Sequence, residues 1–261
     1  MSKGFVTFTD IYFLPLVEVL AKSLLVFSKY PLHVFLINSD KKIDLPNVIT
    51  SNISLPFGTY HQQLMYSKFY AATNNDFDYG CVFDADMIAN INVDELIDIS
   101  EVECKEFPIP ALHGANIIDQ ELMKYLGVSR SSMPFCHATY IFSKESKTFL
   151  KECYKLSQEI IIKGFLQQDE ILLNCLLWKY GANKHLNSYD PHYHVMEAYF
   201  AERDINNIWI EGRGEISFHV FHGCKSFGIA HEILRELQKQ TNDSFSVSIF
   251  KNRKLKIYTY D

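Results

Sequence analysis

The first hundred residues alternate short apolar runs with segments of helical period, and this rhythm restricts the fold more than any other feature. Residues 4–9 (GFVTFT) read as a strand, and residues 14–30 carry apolar side chains at helical spacing up to Pro31. Residues 33–38 (HVFLIN) read as a second strand, 62–74 (QQLMYSKFYAATN) as a helix and 79–83 as a third strand. Parallel strands need a crossover, and a helix in the crossover covers a sheet face. The rhythm therefore predicts a mainly parallel, doubly wound α/β sheet. Ligands of such sheets bind beyond the carboxyl ends of the strands. Asp84 and Asp86 stand at one such end, Thr9 and Asp10 at another.

The second half is less regular. Residues 138–143 (ATYIFS) read as a strand, 147–163 as a helix stopped by Gly164, and 169–180 as a helix closed by Gly181. A glycine just past the last turn suits the left-handed conformation that ends many helices. Residues 215–221 return to strand, 229–240 are amphipathic, and 245–260 alternate apolar and polar residues in a way that predicts a C-terminal β-hairpin. No repeat or linker breaks the 261 residues, so one domain over 1–261 is expected.

The net charge of −6 argues against a nucleic-acid-coating surface, which needs clustered Lys and Arg. None of the six cysteines forms a C-x-x-C pair, so a structural zinc site is not expected. Cys81 and Cys175 lie in apolar runs and read as small core residues, which fits a reducing, cytoplasmic setting. No apolar stretch is long enough to span a bilayer, and the N-terminus lacks a signal pattern.

The chemistry concentrates in DYGCVFDADMIANINVDEL, residues 78–96. An apolar strand runs directly into Asp84-Ala85-Asp86. Two carboxylates this close repel, and burying an unpaired charge costs several kcal/mol, on the order of the penalty for any ion taken from water. A divalent cation removes that cost, and hard oxygen ligands suit Mg²⁺ or Mn²⁺, which commonly share their shell with substrate phosphates. The competing reading is a solvated, Asp-rich turn, but the tight apolar frame on both sides speaks against it.

The longer segment YSKFYAATNNDFDYGCVFDADMIANINVDEL resembles the metal-binding segment of the family-8 glycosyltransferases, the glycogenin-like group with the GT-A fold. A Lys on the preceding helix, an apolar strand, D-A-D and an N-I-D-E-L-like stretch follow in the family's order, with Lys68, Asp84, Ala85, Asp86, Asn90, Ile91 and Leu96 in place. Three further segments resemble the family. FVTFTDIYFLPLVEVLAKSLL is similar to its nucleotide-binding entry, with Thr9, Asp10, Tyr12 and Ser23 at the matching places. Tyr12 would stack on a base unless it is a core aromatic, Asp10 would accept from a base N–H or a ribose hydroxyl, and Ser23 reads as a packing residue. FLQQDEILLN is similar to the acidic D-Q-x-x-L-N motif, with Asp169 in the aspartate place, Asn174 at the end, and Glu170 where the family more often has Gln. Asp169 would also serve as a helix cap. FHVFHGCKSF is similar to the closing H-x-x-G-x-x-K-P-W motif. There His219 would be a metal ligand, His222 is held in reserve, and Lys225 would pair with the diphosphate. The family's N-x-G before the strand at 138–143 is replaced by Cys136-His137-Ala138, and His137 is the candidate substitute at the donor sugar.

The resemblance implies a GT-A type, Rossmann-like mixed sheet, mainly parallel and flanked by helices, with residues 1–100 binding the nucleotide and 101–261 the acceptor. It implies a metal-dependent transfer of a hexose from a nucleotide sugar, UDP-linked, to a hydroxyl on a carbohydrate or protein/glycan acceptor, with retention of configuration. Mn²⁺ or Mg²⁺ would be held by Asp84, Asp86 and His219. Asp169 and Glu170 would be the catalytic carboxylates, and Lys68 and Lys225 would add positive charge at the diphosphate. Two alternatives stay open from the residues: an inverting transferase using Asp169, Glu170 or His222 as base, and a non-catalytic nucleotide-sugar or carbohydrate-binding module. An oligomer is compatible with either.

Overall fold

The structure, a computed structural model, describes residues 1–55, 60–89, 93–112, 118–129, 136–165, 169–186, 194–196, 220–222 and 257–259. Among these residues, eleven strands and six helices follow in the order β1 (Lys3–Thr9), α1 (Leu14–Phe27), β2 (Leu32–Ile37), β3 (Val48–Ile53), α2 (Tyr60–Thr73), β4 (Tyr79–Val82), β5 (Ile88–Ala89), α3 (Asp94–Glu103), β6 (Ile109–Leu112), α4 (Gln120–Leu126), β7 (Cys136–Ser143), α5 (Lys147–Ile162), α6 (Asp169–Lys179), β8 (Lys184–Leu186), β9 (His194–Met196), β10 (Val220–His222) and β11 (Ile257–Thr259).

The main sheet has eight strands in the order β11-β8-β6-β7-β4-β1-β2-β3. Strands β1, β2, β3 and β4 run parallel, and β7 enters antiparallel between β4 and β6. This is the expected mixed, mainly parallel sheet. Strand β11 pairs antiparallel with β8 at the far edge. The rest of the predicted 245–260 hairpin lies outside the described residues, as does the predicted amphipathic segment 229–240. A smaller sheet has the order β5-β10-β9. The described part of the strand expected at 215–221 therefore joins β5 rather than the main sheet.

Strand alternation divides the core into two layers. Phe5, Leu32, Val34, Leu36, Cys81 and Phe83 meet Leu14, Val17, Leu20 and Leu24 of α1 and Leu96 and Ile97 of α3. Val6, Phe8, Phe35, Ile37 and Val82 meet the helices α2, α5 and α6 on the other face. Both faces are covered, so β1 and β2 are buried almost throughout. Cys81 and Cys175 lie in this core with Cys104 and Cys153, all free, and burial pushes their thiols up, which leaves them unreactive. Among the described residues no helix is long and apolar enough to cross a membrane.

Helix α1 stops at Phe27, short of the Tyr30 that periodicity predicts, for a tertiary reason. Ser28 turns extended, its hydroxyl donates to the Asp94 carboxylate, and the Lys29 N–H donates to the same group at the start of α3. Gly164 and Gly181 end α5 and α6 at φ 83° and 72°, the left-handed conformation their sequence predicts. Strand β3 escapes notice in the sequence because VITSNI is half exposed at the sheet edge and lacks a clean apolar pattern.

Gly4 and Gly80 face each other in register on β1 and β4. A Cβ on Gly80 would stand 2.4 Å from the Phe142 ring and 2.6 Å from the Gly4 carbonyl oxygen, and one on Gly4 would stand 2.3 Å from Phe77. The two glycines let the rings close over the strands that carry the site. Gly80→Ala is therefore expected to cost about 1–3 kcal/mol or more in denaturant unfolding, because a backbone atom is among the clashes.

His33 is 6% exposed, stacks on Phe35 at 4.2 Å and bonds the Ser51 hydroxyl at 2.8 Å through Nε2. Burial lowers its pKa, the Asp76 carboxylate opposes and Lys147 assists. The folded state thus holds the neutral ring where the unfolded chain would take a proton. Its stabilising contribution is complete above the ordinary value near 6.5 and falls away as pH drops toward the depressed folded value. Thermal melts from pH 7 to 5 should show falling Tm, and His33→Asn should flatten that slope.

Candidate active site

Strands β1, β2 and β3 are added in one direction across the sheet and β4 in the other, so the order reverses between β1 and β4. The ends of two neighbouring parallel strands separate there and leave a crevice. The Phe83 N–H bonds the Val6 carbonyl at 2.8 Å and the Thr7 hydroxyl bonds the Phe83 carbonyl at 2.9 Å, which fixes the end of β4 against β1. Asp84 follows at once, and the Met87 N–H closes a turn on its carbonyl.

A cleft of about 330 Å³ opens at this point. Its walls come from four places: Phe8, Thr9 and Phe13 around the end of β1; Leu64, Met65 and Lys68 on α2; Asp84, Ala85 and Asp86 after β4; and Asp169 and Glu170 in the first turn of α6. The structure thus brings together seven of the predicted site residues, Thr9, Lys68, Asp84, Ala85, Asp86, Asp169 and Glu170, from segments far apart in sequence. The volume lies in the range of small-molecule sites.

Lys68 is the centre of the charge arrangement. Its Nζ lies 2.7 Å from Asp84 Oδ1 and 2.8 Å from Asp169 Oδ2. The ammonium is almost wholly buried, its side chain 4% exposed, with Asp169 at 6% and Asp84 at 18%. Burial works against the Lys68 charge, but the two carboxylates outweigh it and hold the pKa above the ordinary lysine value. Burial lifts the Asp169 carboxyl, the nearby Asp84 charge adds to the rise, and Lys68 opposes both. An acidic residue in a helix first turn also faces the positive end of the helix dipole, which favours Asp169 and Glu170 at this place. Asn174, matched by sequence to the same motif, is buried and donates back to the Glu170 carbonyl at 2.7 Å, so its place is inside α6.

Asp10 does not line the cleft. Its Oδ1 accepts from the Tyr12 and Phe13 N–H groups, each at 2.9 Å, and builds the turn into α1. Its Oδ2 is buried with no hydrogen-bond partner among the described residues. Tyr12 is 79% exposed, which removes the core-aromatic reading and leaves its ring facing solvent beside this turn. Ser23 is a packing residue, as expected. Buried on α1, it donates to the Leu20 carbonyl and accepts from the Ala89 N–H at 2.9 Å, tying β5 to the helix.

Asp84 and Asp86 are hard oxygen donors at one strand end in one cleft, a donor set that fits Mg²⁺ or Mn²⁺. Among the described residues no group of three or more His, Cys, Asp or Glu is assembled for an ion. His219 and Lys225 lie outside the described residues, as do the side chains of His137 on β7 and His222 on β10. Strand β10 does add one fact. Val220 pairs with Ala89 and Phe221 with Ile88, antiparallel, so the chain runs from there toward Met87 as it reaches His222. The sequence reading missed Phe8, Phe13, Leu64 and Met65 as cleft walls, because apolar residues at a strand or helix face look like core.

No protein-family model matches the chain, and no curated protein matches it. Solved structures do. A crystal structure of the galactosyltransferase LgtC in complex with donor and acceptor sugar analogs is similar with a TM-score of 0.55 and 13% identity, over 89% of this chain and 95% of that one. An active-site mutant of LgtC is similar with a TM-score of 0.59 and 14% identity, over 90% of this chain and 95% of that one. The fold is that of the GT-A glycosyltransferases.

Ser23→Ala would leave the buried Ala89 N–H without its acceptor. A loss of about 1–3 kcal/mol in chemical unfolding is expected.

Proposed function

We propose that the protein is a metal-dependent glycosyltransferase that moves a hexose from a UDP-linked sugar to a hydroxyl of a carbohydrate or protein/glycan acceptor, with retention of configuration. The observation that carries this reading is the meeting of Asp84, Asp86, Lys68, Asp169 and Glu170 in one cleft at the β1/β4 switch point of a GT-A fold. An electropositive phosphate site alone would not place four carboxylates there. A cleft for a sugar diphosphate and its cation would.

Asp84 and Asp86 would hold Mn²⁺ or Mg²⁺ together with an imidazole. Motif spacing favours His219 for that place, and the β10 register carries His222 toward Asp86. Such an ion, when bound, offsets the negative charge that builds on the departing diphosphate. Tyr12, exposed beside the turn, is suited to stack on the uracil, with Thr9 near the ribose. Asp10 would serve there by fixing the turn that carries Tyr12. Asp169 accepts from sugar hydroxyls and steadies positive charge at the anomeric carbon as its bond to diphosphate breaks. Lys225 adds charge at the diphosphate, and His137 takes the place of the missing Asn at the donor sugar.

We assign residues 1–100 to the donor nucleotide and 101–261 to the acceptor within one domain, with Asp169 and Glu170 reaching back to the donor. A reducing, cytoplasmic setting suits its buried free thiols. A second reading is favoured by one observation: Glu170 lines the cleft, a carboxylate where the family more often has an amide. It would serve an inverting transferase as general base for the acceptor hydroxyl.

The test is a thermal-shift screen of nucleotide sugars with and without Mn²⁺, followed by NMR of the product's anomeric configuration. Metal-dependent stabilisation by UDP-sugars is expected, and its absence would remove the reading. Asp86→Ala is expected to abolish transfer and to weaken nucleotide binding by roughly tenfold or more, about 1.4 kcal/mol, while the melting curve stays cooperative.

A further inference from the structure

Lys68 is the single basic side chain among the described residues lining the cleft, against Asp84, Asp86, Asp169 and Glu170. It rises from α2, while Asp84 follows β4 and Asp169 opens α6. The ammonium therefore joins three elements that have no covalent reason to stay in register. Its contacts of 2.7 and 2.8 Å to the two carboxylates are direct ion pairs in a place from which water is largely excluded.

We infer that Lys68 is a positioning residue that occupies Asp84 in the donor-free cleft as an internal cation, so that a divalent ion enters strongly only together with the nucleotide. The inference rests on the metal reading above. One Asp84 oxygen is already paired with the Lys68 ammonium. To hold a divalent ion, Asp84 must share or release that ammonium, and the two cations repel across a few ångströms of poorly screened space. A diphosphate brings enough negative charge to offset the repulsion. As Asp84 turns to the ion, Lys68 remains tied to Asp169 and keeps that carboxylate at the sugar end of the cleft. Lys68 thus makes metal binding conditional on donor and holds Asp169 in place throughout.

Two plainer roles predict other behaviour. A lysine that only binds diphosphate would leave Mn²⁺ affinity of the empty cleft unchanged when removed. A lysine that only supports the fold would, when removed, lower stability and metal affinity together. The experiment is Mn²⁺ binding to wild type, Lys68→Met and Lys68→Arg, by the electron paramagnetic resonance of free Mn²⁺, with and without UDP, alongside thermal melts. In wild type, UDP should tighten Mn²⁺ binding strongly. In Lys68→Met the metal-free protein should melt lower, Mn²⁺ alone should bind at least tenfold tighter than to wild type, and the dependence on UDP should shrink. Lys68→Arg, which keeps the charge, should stay near wild type. If Lys68→Met does not fold, Lys68→Met/Asp169→Asn removes one charge of each sign and takes the same measurement. Unchanged or weaker Mn²⁺ binding in the methionine variants overturns the inference. A wild type that binds no Mn²⁺ even with UDP overturns the metal reading itself, and this inference with it.

Discussion

A buried ammonium between two carboxylates is the interaction on which the site depends. Lys68 meets Asp84 and Asp169 at ion-pair distance in a nearly dry place. Each of these ions would be costly alone, and breaking a buried pair by deleting one partner costs about 3–5 kcal/mol. The arrangement is tolerable only because all three meet. It forces α2, the end of β4 and the start of α6 to converge, and so it shapes the cleft as well as charging it. Asp86 and Glu170 line the same space. Four carboxylates around one ammonium are the physical basis for proposing it as a site for a metal-bound sugar diphosphate.

The scaffold supports this convergence from below. Gly4 and Gly80 in register let Phe77 and Phe142 lie close over the central strands. Bonds from Thr7 and Phe83 then hold the end of β4 against β1. Ser23 ties β5 to α1 just beyond the aspartate pair. The acidic side chains thus project from a rigid base, which a charge-rich site needs if its groups are not to drift apart or be neutralised by protonation.

Much of this was legible in one dimension. The strand runs, the stopping glycines and the apolar-to-acidic transition at Asp84 follow from local rules of burial and backbone conformation, and these operate within a few residues. The edge strand β3 was not legible, because a half-exposed strand carries a weak pattern. Nor was the end of α1, where a side-chain bond from Ser28 to Asp94, far along the chain, overrides a periodicity that continues to Tyr30. Asp10 shows the same division. Its place at a strand end could be read, while its use of one oxygen to build the turn into α1 could not.

From the sequence alone came the sheet type and the acidic strand end, because these rest on side-chain chemistry and short-range spacing. Tertiary structure alone decided that Lys68 would be committed to Asp84 and Asp169 and that Tyr12 would stand in solvent. Those outcomes depend on which distant segments share a low-dielectric space, and Coulomb energy in such a space is set by distances between atoms that the order of residues does not contain.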